Sequence, residues 1–173
     1  DPAYHEIPCA GFIADILRDG HITEIESNSL TGLHEKLDAY LPEYTVDIVY
    51  PLAASRFVTW IDPATGDMSQ KRRSPKKATV YDAIAECIRL RSYLRKPGLR
   101  ILAAFLDIEE YRLLDGWSRD RKRGSHRYER IPQELHRIVV LDSTDSYARF
   151  IPENCPDPCT VREFASAAGI QRD

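Results

Sequence analysis

The sequence predicts a mixed α/β fold, a central sheet flanked by helices. Three observations carry this expectation. A strand–turn–strand hairpin is centred on Asp19-Gly20, leucines at helical spacing follow it, and apolar, β-rich runs recur at 45–50, 56–62 and 99–107. Composition agrees. Of 173 residues, 43% are hydrophobic and 29% charged, which excludes wholesale disorder and collagen-like or coiled-coil chains. The length suits one domain, or one domain with a small appendage. The longest apolar run, 101–106, is too short for a bilayer-spanning helix, so no membrane partner is expected.

Residues 11–18 read as the first strand, with Phe12, Ile13, Ile16 and Leu17 apolar. Asp19-Gly20 is a two-residue hairpin turn, because both residue types tolerate positive φ, and 21–26 is the return strand. Ser27-Asn28-Ser29 breaks the strand and offers helix caps. Leu30, Leu33, Leu37 and Leu41 then recur at helical spacing until Pro42 ends the helix. The next strand, 45–50, is expected to close at Pro51, and 56–62 to form another. Residues 64–77 read as a polar loop or short hairpin ending in a basic run. Residues 79–93 read as a helix, 99–107 as a strongly apolar strand, 136–142 as a strand and 159–170 as a short helix. Domain expectations follow: an α/β core over 1–110, a basic aromatic segment with a further strand over 111–152, and a final segment over 153–173.

The net charge of −3 hides an asymmetry. Residues 1–60 carry three basic and ten acidic side chains, and residues 61–140 carry eighteen basic and eleven acidic. Such a division suits a protein that holds metal with one part and a polyanion with the other, or a surface on which the two signs mix. Cys9, Cys87, Cys155 and Cys159 are too scattered for a disulfide framework and lack zinc-finger spacing, which fits a reducing, cytoplasmic setting. The chain opens on Asp1 rather than Met with no apolar leader after it; the expectation is a start inside a longer product, or a processed one.

The hairpin carries the chemistry. A two-residue turn at Asp19-Gly20 sets Arg18 opposite His21 and therefore Asp15 opposite Glu24, with Glu26 diagonal on the same face. Like charges directly opposed are destabilising unless solvent, a cationic side chain or a metal compensates. Oxygen donors of this kind suit Mg²⁺ or Mn²⁺. The alternative is a solvated hairpin edge, against which stand the neighbouring Phe12, Ile16, Ile22 and Ile25.

Ile13-Ala14-Asp15-Ile16-Leu17 and Ile22-Thr23-Glu24-Ile25-Glu26, followed by a helix and a strand, resemble the core of the PD-(D/E)xK nuclease superfamily, which includes restriction endonucleases. The resemblance implies a restriction-endonuclease-like fold and a metal-dependent endonuclease, with Asp15 and Glu24 holding the metal. Glu26 stands where the motif has Lys, as ligand or general base, and Lys36 on the following helix is the candidate to supply the missing amine. Only Glu6 precedes the motif as an upstream acid. The chemistry expected is hydrolysis of DNA phosphodiesters, DNA rather than RNA, with a homodimer compatible with cutting both strands. The alternative is a catalytically inactive nuclease fold that binds nucleic acid or a protein partner.

Arg119, Arg121, Lys122, Arg123 and Arg127, interleaved with Trp117 and Tyr128, are the candidate phosphate contacts; the opposing reading pairs them with Asp115, Asp120 and Glu129. The stretch is similar to one in uncharacterised bacterial proteins. The run from Lys71 to Lys77 reads as an arm of lesser weight. Thr160-Val-Arg-Glu163 is a capping-box pattern, and with Gly169-Ile170 it resembles the first helix and turn of a partial helix-turn-helix, or an ordinary terminal helix with a glycine cap. No phosphate-binding loop, nucleophile elbow or dinucleotide fingerprint is present. His21 and His34 are expected to be structural.

Overall fold

The computed structural model describes residues 2–116 and 124–170. Its centre is a seven-stranded sheet in which β1 (His5–Cys9), β2 (Phe12–Arg18), β3 (His21–Ile25), β4 (Thr45–Ile61), β6 (Leu99–Leu113) and β7 (His126–Leu141) are successive neighbours; β5 (Arg72–Arg73) pairs with β4. The helices are α1 (His34–Tyr40), α2 (Val80–Cys87), α3 (Thr144–Ala148) and α4 (Val161–Ala167).

The predicted hairpin forms with the predicted register. Asp19 and Gly20 take φ of 49° and 77°, and the pairs Arg18↔His21, Leu17↔Ile22 and Ile16↔Thr23 follow. A second left-handed turn, Ala10-Gly11 at φ 47° and 83°, joins β2 to β1. Strand β1 escapes sequence reading because Pro8 interrupts it and Glu6 adopts φ 53°; an edge strand tolerates both. Beyond β3 the leucine-spaced helix begins as a 3₁₀ turn, Leu30–Leu33, in which Ser29 Oγ accepts from Thr31 N–H, before α1 proper. Helix α1 returns the chain to β4, which runs parallel to β3 with His21↔Thr45 through Ile25↔Val49 in register.

Pro51 does not end the strand it was expected to close. Residues 45–50 and 56–61 lie on one seventeen-residue strand, β4, which ends one residue before the predicted second strand does. Val49 directs its carbonyl to Glu26 N–H at 3.0 Å. Pro51 shares that side of the strand but lies past the end of β3, so its missing N–H costs no ladder bond. Val46 N–H donates to Gly98 C=O and Leu114 N–H to Ile61 C=O, so β6 runs alongside β4 in the same direction. The contacts Phe105–Arg137, Asp107–His136 and Glu110–Arg130 ascend β6 while descending β7, which makes that pair antiparallel. Strand β7 begins ten residues before the predicted one because its first two-thirds is exposed and charged, a composition common on edge strands and easily read as loop.

The chain divides into two compact units. Residues 1–50, 80–103 and 139–173 form one; residues 51–79 and 104–138 form the other. Strands β4, β6 and β7 each contribute one end to either unit, so sequence order cannot reveal the division. The first unit holds an apolar core in which Ala14, Ile22, Leu30, Leu37, Tyr40, Val46, Ile48, Leu90 and Ile101 are fully buried. Helix α4 belongs to it, with Phe164 set edge-on to Tyr81 at 6.1 Å. The capping box at Thr160 and Glu163 forms, and Gly169 at φ 64° closes the helix with Ile170 N–H bonded to Ala165 C=O, a glycine-capped end. A following recognition helix would start near Gln171, outside the described residues. Ser143 and Ser146 form a second capping box, on α3, which the sequence reading passes over because serine replaces the usual Glu or Gln.

Candidate functional site

Asp15 and Glu24 lie on adjacent strands where the β2–β3 ladder stops. The last recorded pair is Ile16↔Thr23, and one residue further the bridge between the strands is a side chain: Asp15 Oδ2 accepts from Ile25 N–H at 2.7 Å. Glu24 is buried, and Lys36 from α1 meets it, Nζ to Oε2 at 2.6 Å, while the same ammonium donates to Ile13 C=O at 2.9 Å. Tyr40, four residues after Lys36 and so on the same helix face, is fully buried beside them. Its hydroxyl is pushed up to about 12 by burial, with the charge of Glu24 adding to the effect. Burial likewise raises the Glu24 carboxyl above its ordinary value, against the opposing pull of Lys36. Glu24 Oε1 and the Tyr40 hydroxyl are both buried without a well-formed hydrogen bond among the described residues, although Tyr40 and the Asp15 backbone both lie close enough to Glu24 to interact with it. Buried polar atoms in folded proteins are nearly always satisfied, so these two mark a place suited to a cation or an ordered water.

Glu26 does not join this group. Its Oε1 accepts from Asn28 N–H at 2.8 Å, tying it into the turn after β3. Asp15, Glu24 and Glu26 do not form a three-ligand cluster. Among the described residues the group of three whose ligand atoms all lie within 4.8 Å is Asp107, Glu134 and His136, in the second unit. There Asp107 raises the pKa of His136, which favours an ion pair over metal ligation. Ile25 also departs from expectation, being 53% exposed, whereas Ile22 is fully buried as read.

A second polar cluster occupies the opposite end of β3 and β4. Asp47, buried, accepts two hydrogen bonds from Arg100, Nε at 2.7 Å and Nη2 at 2.6 Å, and lies 3.0 Å from His21 Nε2. His21 Nδ1 meets Thr45 Oγ1 at 2.7 Å. His34 packs against Tyr93 and bonds Arg89 C=O. Both histidines are thus held structurally. Replacing Asp47 by Ala is expected to cost about 2 kcal/mol, below the usual figure for a broken buried pair because Arg100 is half exposed and regains water. Urea unfolding of the variant at neutral pH checks this; an unchanged midpoint would show the fork to be energetically idle.

Of the predicted phosphate contacts, Arg119, Arg121, Lys122 and Arg123 lie outside the described residues. Arg127 is described, and its Nε is 3.9 Å from Glu110. Glu110, fully buried on β6, is ringed by arginines: Arg112 donates to Oε1, Arg130 donates to Oε2 at 2.9 Å, and Arg56 Nη1 lies 3.6 Å from Oε2.

Residues 1–142 match the family described as a domain of unknown function, DUF8091, which is most of the chain. The chain belongs to the DUF8091 family. An uncharacterized protein of Treponema pallidum (strain Nichols) is 26% identical over 143 residues, covering 82% of this chain and 54% of that protein. The chain therefore spans about half the length of that relative. No solved structure matches the chain.

The matched DUF8091 region takes in the hairpin, α1 and the Glu110 cluster, and leaves α3 and α4 beyond it. Within it the sequence reading misses Tyr40 and Glu110, and names Glu6 only as an upstream acid. Tyr40 reads as the last apolar turn of a helix, although its spacing from Lys36 puts it on the same face. Glu6 lies in register with Asp15 across β1 and β2, between the pairs His5↔Ile16 and Ile7↔Ala14, and holds a left-handed backbone there. Glu110 reads as one acid in a charged stretch; no local signal marks it as buried.

Proposed function

We propose that this chain is a divalent-metal-dependent endonuclease that hydrolyses DNA phosphodiester bonds in the cytoplasm, with Asp15, Glu24 and Lys36 as its chemical group. The observation that carries the reading is the Lys36 ammonium on Glu24 Oε2, because it supplies from α1 the amine that Glu26 lacks. Element order supports it. A β1–β2–β3 antiparallel meander, then a helix, then β4 parallel to β3 is the arrangement expected of a restriction-endonuclease-like core.

The donor set fits a hard cation. Asp15 and Glu24 offer carboxylate oxygens, and Glu24 Oε1 is a buried acceptor without a well-formed hydrogen bond among the described residues. Bound there, Mg²⁺ or Mn²⁺ would polarise the phosphate and lower the pKa of a water. The chain's own residues do the rest. Ile25 N–H fixes one oxygen of Asp15 and leaves the other outside that bond. Lys36, held against Glu24 Oε2, is a donor for an oxygen on which negative charge develops. Tyr40, un-ionised at neutral pH, is a neutral donor beside the same carboxylate.

Plasmid, linear and branched DNA incubated with Mg²⁺ or Mn²⁺ test the reading. Cleavage is expected to require the metal, to stop with chelator, and to fall at least about a hundredfold in Asp15→Ala. Binding without cleavage on every substrate would favour the reading of an inactive nuclease fold that holds nucleic acid.

A further inference from the structure

The charge asymmetry of the sequence sorts by unit. Residues 51–79 and 104–138 contain fourteen Lys or Arg against nine Asp or Glu, a balance of +5, within a chain of net charge −3. In this basic unit four guanidiniums converge on one buried acid. Arg112 holds Glu110 Oε1 through Nε at 2.7 Å and Nη2 at 2.6 Å, and Arg130, Arg56 and Arg127 approach Oε2 at 2.9, 3.6 and 3.9 Å. We propose that this cluster is a phosphate-binding site that holds a backbone phosphate of a polynucleotide.

The bookkeeping of charge and donors supports it. Among the described residues at the cluster, one carboxylate balances one guanidinium, which leaves an excess of three positive charges. Four guanidiniums carry about twenty N–H groups, against about four acceptor positions on a carboxylate. Arg56 Nε is buried with no hydrogen-bond partner among the described residues. The arginine side chains are 20% to 46% exposed, so their remaining edges reach solvent while Glu110 is sealed beneath them. Burial, and then the neighbouring guanidiniums, lower the pKa of Arg127. A hidden acid that orders several forks without neutralising them is a preorganised oxyanion receptor, and arginine forks match phosphate oxygens bidentately. The surplus of basic residues across the unit favours a polyanion over a single small phosphate.

This inference shares with the endonuclease reading only its ligand class, and it is tested without metal so that either can fail alone. Fluorescence anisotropy with the full chain in chelator, on single-stranded and duplex 20-mer DNA bearing 5′-hydroxyl ends, reads affinity against salt. Arg127→Gln and Arg130→Gln are each expected to weaken binding about fivefold and to reduce the slope of log affinity against log salt by about one. Lys96→Gln, an exposed cation of the other unit, is expected to change neither. Inorganic phosphate is expected to compete better than chloride at equal ionic strength. Parental affinity and slope in both arginine variants, with circular dichroism unchanged, would overturn the proposal. So would tenfold tighter binding of 5′-phosphorylated ends, which would assign the cluster to a terminal phosphate instead of the backbone.

Discussion

Lys36→Met is expected to abolish metal-dependent cleavage, by about a thousandfold or more, and to lower stability by about 3 kcal/mol at neutral pH. Glu24→Gln is expected to lose cleavage as fully but to be as stable as the parent or more so. The asymmetry follows from which charge burial penalises. Burial raises the Glu24 pKa, and Lys36 only partly opposes it. A carboxyl whose folded pKa lies above its unfolded value near 4.5 contributes stability that is complete below that value and is lost as pH rises through the folded pKa. At neutral pH the ionised Glu24 is therefore a standing cost to the fold. Removing Lys36 leaves that anion buried without a counter-charge; removing the anion relieves it. For a chain of this size 3 kcal/mol corresponds to a fall of about 10 °C in Tm. Melts of both single variants and the double variant, from pH 4.5 to 8, check this. The Lys36→Met deficit should shrink toward pH 4.5 and vanish in the double variant, and Mg²⁺ should raise the Tm of the parent but not of Glu24→Gln. Equal destabilisation by the two single substitutions would show the pair to be an ordinary structural ion pair.

How far this site was legible in the sequence depends on the range of the interactions. The register that opposes Asp15 to Glu24 is set by a two-residue turn with positive φ at both positions, a local property of Asp19-Gly20. Lys36 could be named only because the nuclease resemblance implies an amine at this site and Lys36 is the lysine on the following helix. Glu26 could not be excluded, since its diversion depends on where β3 ends and the next turn begins, and boundaries are the least local feature of a strand. The fold class was readable from periodicity, but the two units were not. They arise because β4, β6 and β7 are each nearly three times the usual strand length, and Pro51 hid the first of these. Glu110 shows the limit most clearly. Its arginines come from positions 56, 112, 127 and 130 on three strands, so nothing in its own neighbourhood distinguishes it from Glu109, which pairs with Lys71.

Glu110→Gln makes the same chemical change as Glu24→Gln and is expected to have the opposite effect, a loss of about 3–5 kcal/mol and a Tm lower by about 10 °C. Burial alone would raise the Glu110 pKa; the hydrogen bonds from Arg130 and Arg112 outweigh it and hold the carboxyl below its ordinary value. A carboxyl depressed in the folded state contributes stability that is present above its unfolded value near 4.5 and is lost as pH falls through the folded pKa. The cost of Glu110→Gln should therefore be complete at pH 7 and diminish below about pH 4, whereas Glu24→Gln should show its greatest benefit at pH 7. The amide still accepts hydrogen bonds, so geometry is nearly conserved and the difference isolates charge: four guanidiniums lose the one anion that draws them together. Phosphate added at constant ionic strength should restore more of the lost Tm in Glu110→Gln than it adds to the parent, because an external oxyanion then does what the carboxylate did. If both Glu→Gln substitutions shift Tm in the same direction, the contrast between a carboxylate kept at a cost and one that organises its surroundings fails, and with it the argument that the two buried glutamates have different roles.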